Sequence, residues 1–177
     1  MGIETDEKQK KDKKERLQNV AIAVLSVIFS CVLVYSLFFE NIKVVQSSMS
    51  PTIESGQVVV IRKTKDVSRG DIVVFFDKNV DENMIIKRVA AVGGDRIKID
   101  ENGVLTIKYT DESGEEKTIT SVEDYIKDGE NIVLEETYID NGYIYLLGDN
   151  RLISYDSSEF GEVLQKNVVG KVVLILK

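Results

Sequence analysis

The chain has 177 residues, with 23 Lys and Arg against 30 Asp and Glu, a formal charge of −7, one cysteine, one proline and no histidine. The acidic balance disfavours general nucleic-acid binding, which depends on neutralising phosphates with basic side chains. One cysteine cannot form an intramolecular disulfide or a multi-thiolate zinc site. The lack of histidine excludes His-based catalytic triads and His-ligated metals. We therefore expect no cofactor or metal, and any hydrolase here needs a different general base.

Residues 1–16 are almost wholly polar and include six Lys and Arg. Such a composition cannot bury a core, so it predicts a disordered tail. Residues 17–39 then form an uncharged apolar run of 23 residues, and about 20 such residues in a helix span a bilayer. A cleavable signal peptide has a shorter apolar region ending in small residues, whereas this run ends in Phe38 and Phe39. The pattern predicts a transmembrane helix that stays attached.

The orientation of this helix follows from the basic residues near its ends. Six precede the apolar run, and Lys43 is the only one in the twenty residues that follow it. Because Lys and Arg are retained on the cytoplasmic side, the tail is predicted to be cytoplasmic. Residues 40–177 would then form an extracytoplasmic domain at the cell membrane.

The outer domain has short β-branched and aromatic runs separated by turns rich in Gly and Asn. The clearest runs are residues 58–61, 71–76, 84–89 and 143–147. This pattern predicts a mostly-β, antiparallel domain. Asn102 and Gly103 lie between two such runs and predict a hairpin. Residues 100–140 are charge-rich, and we expect an exposed β-ribbon with a short helix near residues 121–127.

A polar segment just after the apolar run could carry a nucleophile. It reads Gln-Ser-Ser-Met-Ser-Pro-Thr-Ile over residues 46–53, and Pro51 favours a stiff turn that could present a serine. A polar juxtamembrane loop is the alternative interpretation. A serine hydroxyl needs a base to take its proton, and without histidine a lysine made neutral by burial is the natural candidate.

Lys87 is the lysine whose surroundings differ from the rest. Strand alternation places it on one face with Ile85 and Val89, so it either points outward from an apolar edge or lies in a dry site. A third polar segment, residues 148–157, follows the strand at 143–147. It is either an ordinary loop or a source of hydroxyls and a carboxylate that orient a catalytic amine.

Together these segments resemble the type I signal peptidases, which are membrane-bound Ser/Lys endopeptidases. The resemblance rests on four motifs that occur in the family's order behind one apolar span. They are Ser48-Met49-Ser50-Pro51-Thr52, Arg69-Gly70-Asp71-Ile72-Val73-Val74-Phe75, Lys87-Arg88-Val89 with Gly93-Gly94-Asp95, and Gly148-Asp149-Asn150-Arg151 with Ser154, Asp156-Ser157 and Phe160-Gly161.

The resemblance implies a signal-peptidase-like β-sheet catalytic domain and a role for each matched residue. Ser48 would be the nucleophile and Lys87 the general base, and Ser154 would hydrogen-bond the Lys87 amine. Asp156 and Arg151 would brace the site. The pockets for small residues at −1 and −3 of the substrate would be lined by Val44, Ile53, Ile85 and Ile86. The implied partners are membrane lipid and the signal peptides of secreted preproteins, cut at the outer membrane face.

Several positions depart from the family pattern, among them Gln57, which stands where an aspartate often follows glycine. Leu152-Ile153 stands where relatives usually have Asp-Asn, and Ser158 stands where they usually have Arg, which leaves Arg88 as the expected partner of Asp156. Gln46 stands where they usually have Ser or Gly. Since residues 46 and 48 of an extended segment point the same way, we hypothesise that the Gln46 amide donates to the oxyanion. The alternative is that Gln46 faces solvent.

Two other functions stay open at the level of sequence. One is a catalytically idle relative that acts as an assembly factor for surface structures such as pili, which the altered last motif favours. Retention of both Ser48 and Lys87 argues against it. The other is a specialised peptidase that cuts few substrates, for example pilin precursors.

Overall fold

The fold was analysed in a computed structural model, which describes residues 2–77, 83–122 and 133–176. The chain divides into two compact units, residues 1–39 and 40–177. The division falls at the end of the apolar run. Each unit is described below by itself.

The first unit is dominated by helix α1, Gly2–Phe38. Its stretch Lys13–Phe38 has 26 residues, is strongly apolar and is not buried in the structure. It is therefore long and apolar enough to cross a membrane. The helix also runs through residues 2–16, where we predicted a disordered tail. Lys and Glu have high helix propensity, and extending an existing helix costs far less than nucleating a new one.

The second unit is built from strands, one short helix and one 3-10 turn. The strands are β1 Phe39–Lys43, β2 Val58–Arg62, β3 Ile72–Phe75, β4 Ile85–Val92, β5 Arg96–Ile99, β6 Val104–Thr110, β7 Glu116–Val122, β8 Leu134–Tyr138, β9 Tyr143–Leu147, β10 Val163–Leu164 and β11 Val168–Leu176. Helix α2 is Ser157–Phe160, and the 3-10 turn is Gln165–Asn167.

Seven strands form the larger sheet, in the order β1-β2-β11-β3-β4-β9-β10. The pairings of β2, β3, β4, β9, β10 and β11 are antiparallel. The predicted mostly-β antiparallel class is therefore confirmed. β11, which the sequence analysis did not single out, lies between β2 and β3 and joins the two halves of this sheet.

A smaller sheet has the order β7-β6-β5-β8. The hairpin predicted at Asn102-Gly103 joins β5 to β6, with Ile99 opposite Leu105. Gly103 has a φ of 73°, which suits a residue without a Cβ. Three strands of this sheet, β6, β7 and β8, lie within residues 100–140, where a β-ribbon was predicted. Of the predicted helix at 121–127, residues 121 and 122 belong to β7 and the rest lies outside the described residues.

The larger sheet buries apolar side chains on both of its faces. Along β3, Val73 and Phe75 pack in one core cluster and Val74 packs in another. Along β4, Ile85 and Ile86 divide in the same way. Because both faces are covered, the centre of β4 lies in an environment from which water is largely excluded.

Candidate active site

The loop between β1 and β2 presents Ser48. Its ends are closed by two backbone bonds of 2.8 Å, from Val44 N–H to the Gln57 carbonyl and from Gly56 N–H to the Val44 carbonyl. Within it, Met49 is 1% exposed and packs in the core. Ser48 is 7% exposed. The loop therefore fixes a nearly buried serine beside anchored backbone.

Lys87 reaches Ser48 from the centre of β4. Val73 of β3 lies opposite it in the sheet, and Ile85 and Val89 flank it on the same face. Its side chain is 1% exposed, and Nζ lies 2.6 Å from the Ser48 Oγ. The sequence left two environments open for Lys87, an outward-facing edge and a site from which water is excluded. The structure shows the second.

Burial lowers the pKa of Lys87 from 10.5 to about 8, against the opposing charges of Asp156, Glu159 and Asp149. Desolvation disfavours the ammonium form because its charge loses the stabilisation of water. A substantial fraction of the amine is therefore neutral at mildly alkaline pH. A neutral amine at hydrogen-bond distance from a serine hydroxyl can accept its proton.

The backbone of Ser48 is held by the loop that follows β9. Asn150 donates its backbone N–H to the Ser48 carbonyl over 2.9 Å, and its side-chain amide donates to the Ser47 carbonyl over 3.3 Å. Gly148 makes this approach possible, since a Cβ there would lie 2.7 Å from the Ser48 carbonyl oxygen. The last motif thus positions the loop that presents Ser48.

Asp156 is completely buried and organises the same segment. One carboxylate oxygen accepts from Gly148 N–H over 2.8 Å, and the other accepts from the N–H and Oγ of Ser158 at the start of α2. Arg88, the partner expected for Asp156, instead makes a two-pronged ion pair with Asp149 at 2.8 and 2.6 Å. Ser158 and the backbone N–H of Gly148 thus supply hydrogen bonds to Asp156.

Ser154 and Arg151 also lie inside the domain, at 5% and 7% exposed. The Ser154 Oγ has no hydrogen-bond partner among the described residues. The predicted bond from Ser154 to the Lys87 amine is therefore not formed in this structure. A Cβ on Gly148 would overlap the Ser154 hydroxyl, so the serine packs against the glycine backbone.

Two cavities flank Ser48, and Gln46 lines both of them. The smaller, about 30 Å³, is lined by Val44, Met49, Met84 and Ile86 among others. The larger is a cleft of about 360 Å³ lined by Gln46, Ser47, Ser48, Ile85, Lys87, Ile153 and Tyr155.

The predicted pocket residues are divided between these cavities and the core. Val44 and Ile86 line the smaller cavity, and Ile85 lines the cleft. Ile53 lines neither, because its side chain is fully buried in the core. Gln46 is exposed and lies two residues before Ser48.

Sequence reasoning assigned no role to Asn150, Asp149 or Gly148. Each connects the segment after β9 to another segment, either by close contact with its backbone or by an ion pair. The available signal was a run of small and polar residues directly after a buried strand. Within the described part of the chain, no group of three or more His, Cys, Asp and Glu could hold a metal ion.

Comparisons of this chain with known proteins agree on one family. Residues 16–177 match the sequence model of the family described as signal peptidase, peptidase S26. The chain belongs to this signal peptidase family. It is 34% identical over 145 residues to signal peptidase I of Bacillus caldolyticus, covering 76% of this chain and 77% of the relative.

Two further comparisons involve other signal peptidases. Signal peptidase IB of Staphylococcus aureus is 33% identical over 174 residues, which cover 90% of this chain and 88% of the relative. The crystal structure of a signal peptidase I from Enterococcus faecalis is 24% identical, with a TM-score of 0.46, and covers 61% of this chain and 97% of that chain. Membership of the signal peptidase family makes the chain a peptidase.

Proposed function

We propose that this chain is a Ser/Lys endopeptidase that removes signal peptides from secreted preproteins at the outer face of the cytoplasmic membrane. The single observation that carries the proposal is the 2.6 Å contact between the Lys87 Nζ and the Ser48 Oγ in a buried site. Membership of the signal peptidase family supports the substrate class. The apolar helix and the excess of basic residues before it support the membrane location.

In the proposed reaction the Ser48 Oγ attacks the scissile carbonyl while the neutral Lys87 amine takes its proton. The resulting ammonium passes a proton to the leaving amine, which departs with the mature chain. The acyl group stays on Ser48 until water, deprotonated by the same amine, releases the signal peptide. The lowered pKa of Lys87 supports this role, since a base must be unprotonated at working pH.

The negative oxygen of the tetrahedral intermediate needs donors aimed at it. We propose that the Ser48 backbone N–H supplies one and that the Gln46 side-chain amide supplies the other. Gln46 lies in the lining of both cavities beside Ser48, within the same segment. This geometry supports the placement of its amide next to the reacting carbonyl.

The remaining site residues are proposed to position this pair. Asp156 and Asn150 tie the segment after β9 to its own backbone and to the Ser48 carbonyl. Arg151 is buried in that segment. Val44 and Ile86, which line the smaller cavity, are proposed to contact the small substrate residues at −1 and −3. Ile85, which lines the larger cleft, is proposed to contact the substrate there.

The test is incubation of the detergent-solubilised full chain with a preprotein that carries Ala at −3 and −1. Cleavage at that site by the wild type, and none by Ser48→Ala, is the expected result. A folded wild-type protein that cuts no such preprotein would contradict the proposal and would favour the idle assembly factor. That alternative has no support in the relatives described above, whose names are those of peptidases.

A further inference from the structure

The larger cleft has an apolar wall that the proposed mechanism does not use. Ile153 is 63% exposed and Tyr155 is 54% exposed, and both line the cleft that contains Ser48 and Lys87. An exposed apolar wall next to a nucleophile is a surface on which a substrate side chain can be buried.

Ile153 is fixed relative to the nucleophile. Its backbone N–H donates to the Asn150 carbonyl over 3.3 Å, and the Asn150 N–H donates to the Ser48 carbonyl over 2.9 Å. Two successive backbone bonds therefore connect the isoleucine to the reacting residue. A side chain on such a turn can discriminate between substrates, because its position is set by the same contacts that set the nucleophile.

Tyr155 is fixed by aromatic packing. Its ring meets Phe160 edge-on at 5.4 Å, and Phe160 lies 6.2 Å from Phe75 of β3. Phe75 is fully buried in the core. The half-exposed tyrosine is thus the outer member of an aromatic row that begins inside the domain, and it forms a firm wall.

The side of the substrate that meets this wall follows from the position of the amine. Lys87 must reach the leaving nitrogen in order to protonate it, and Lys87 lines the larger cleft but not the smaller cavity. The smaller cavity, about 30 Å³, suits small side chains before the scissile bond. The residue that carries the leaving nitrogen, position +1, then lies in the larger cleft.

We propose that Ile153 and Tyr155 form a subsite that selects an apolar side chain at position +1 of the substrate, the first residue of the mature protein. The inference rests on the proposed peptidase function and adds a specificity that the small-residue rule at −1 and −3 does not contain. Burial of an apolar +1 side chain against the wall favours cleavage, and a polar side chain of the same size gains nothing there.

The experiment compares two synthetic peptides that share Ala at −3 and −1 and differ in Leu or Asn at +1, which are similar in size. The wild type is expected to cleave the Leu peptide with a kcat/KM about tenfold higher. Ile153→Asn and Tyr155→Ala should each reduce this ratio to about threefold or less, and Ile153→Val should retain most of it.

Leu152→Asn is the matched control. Leu152 is 49% exposed and adjacent in sequence, yet it is not among the residues that line the cleft. Its substitution should leave the ratio at the wild-type value. Because each result is a ratio between two peptides with one enzyme, a general loss of folded protein does not change it.

Three outcomes would overturn the inference. One is equal cleavage of both peptides by the wild type, which leaves the peptidase function intact and removes the subsite. Another is loss of selectivity in Leu152→Asn to the same degree as in Ile153→Asn. The third is failure of the wild type to cut either peptide or any preprotein, which contradicts the proposed function and the subsite with it.

Discussion

The two sheets of residues 40–177 differ in how far they bury charged residues. In the larger sheet and its loops, Lys87, Asp149 and Asp156 are at most 1% exposed. In the smaller sheet, Lys108 pairs with Glu136 at 2.7 Å while both side chains are more than a third exposed. Buried charges are costly and persist where they have specific partners or a function, whereas exposed pairs contribute little to stability.

This difference between the two sheets indicates where the candidate active site lies. Every buried charge named above lies within the network that holds Ser48: Asp149 and Asp156 act on the segment after β9, and Lys87 contacts the Ser48 hydroxyl. Perturbed ionisable groups that cluster at a cleft are candidates for a functional site. The smaller sheet has ample charge but keeps it in water, so it is expected to be replaceable.

The largest expected effect comes from removing the two central groups. Ser48→Ala and Lys87→Ala should each abolish cleavage, and Lys87→Arg should be equally inactive because a guanidinium keeps its proton at working pH. The double variant should lose little more than either single one, since the two act as a unit. Preprotein cleavage assays measure this, with Lys108→Ala of the smaller sheet as the active control. An active Lys87→Arg enzyme would refute the assignment of the base.

The next effect concerns the proposed oxyanion donor. Gln46→Ala should lower kcat by about 10²–10³-fold with little change in KM, because the donor acts only in the transition state. Gln46→Ser should recover part of the rate, and Gln46→Glu should be worse than Ala because it opposes the oxyanion charge. Steady-state kinetics with one peptide substrate decide this. A wild-type rate for Gln46→Ala would mean that the side chain faces solvent.

The ion pairs of the two sheets should differ in how much they stabilise the fold. Arg88→Met leaves the buried Asp149 carboxylate without its two-pronged partner, and we expect a loss of about 2–3 kcal/mol in the free energy of unfolding, since Arg88 keeps some solvent contact. Adding Asp149→Leu should restore much of that loss. Lys108→Met, in the exposed pair, should change nothing measurable. Urea unfolding followed by tyrosine fluorescence suits this chain, which has no tryptophan; equal losses in Arg88→Met and Lys108→Met would contradict the distinction.

A smaller effect near neutral pH is expected from the pH dependence of the wild type. Because burial lowers the pKa of Lys87 to about 8, kcat/KM should rise with pH up to that value and then level off. Below it, the protonated fraction grows and the rate should fall about tenfold per pH unit. A rate profile from pH 6 to 10 measures this. A rise that continued to the ordinary lysine pKa would show that the base is not desolvated.

Much of the fold was readable from local pattern. The run at 143–147 coincides with β9, and the runs near 58, 72 and 85 coincide with β2, β3 and β4. Short runs of β-branched and aromatic residues indicate a strand whichever strand they pair with, so these predictions did not require knowledge of the pairing. β11 was missed as an element, although its position between two other strands gives the larger sheet its continuity.

For the candidate site, the central pair was predicted better than the contacts around it. The motifs brought Ser48 and Lys87 together correctly as neighbours, 2.6 Å apart. The sequence did not show which groups the supporting side chains contact. Arg88 forms its two-pronged ion pair with Asp149 and not with Asp156, and the Ser154 hydroxyl does not hydrogen-bond Lys87. Several carboxylates and hydroxyls follow one another between residues 148 and 158, and sequence spacing does not distinguish which of them faces which donor.

The sequence by itself determined the classes of chemistry that were open: an apolar helix followed by a β domain, no histidine, and a serine and a lysine in matching motifs. These depend on residue identity and short-range periodicity. Only the tertiary structure decided that Lys87 is dry, that Asn150 holds Ser48, and that Ile153 and Tyr155 border the cleft. Burial and contact depend on which distant segments pack together, and the pKa of an amine is set by that packing rather than by its neighbours in sequence.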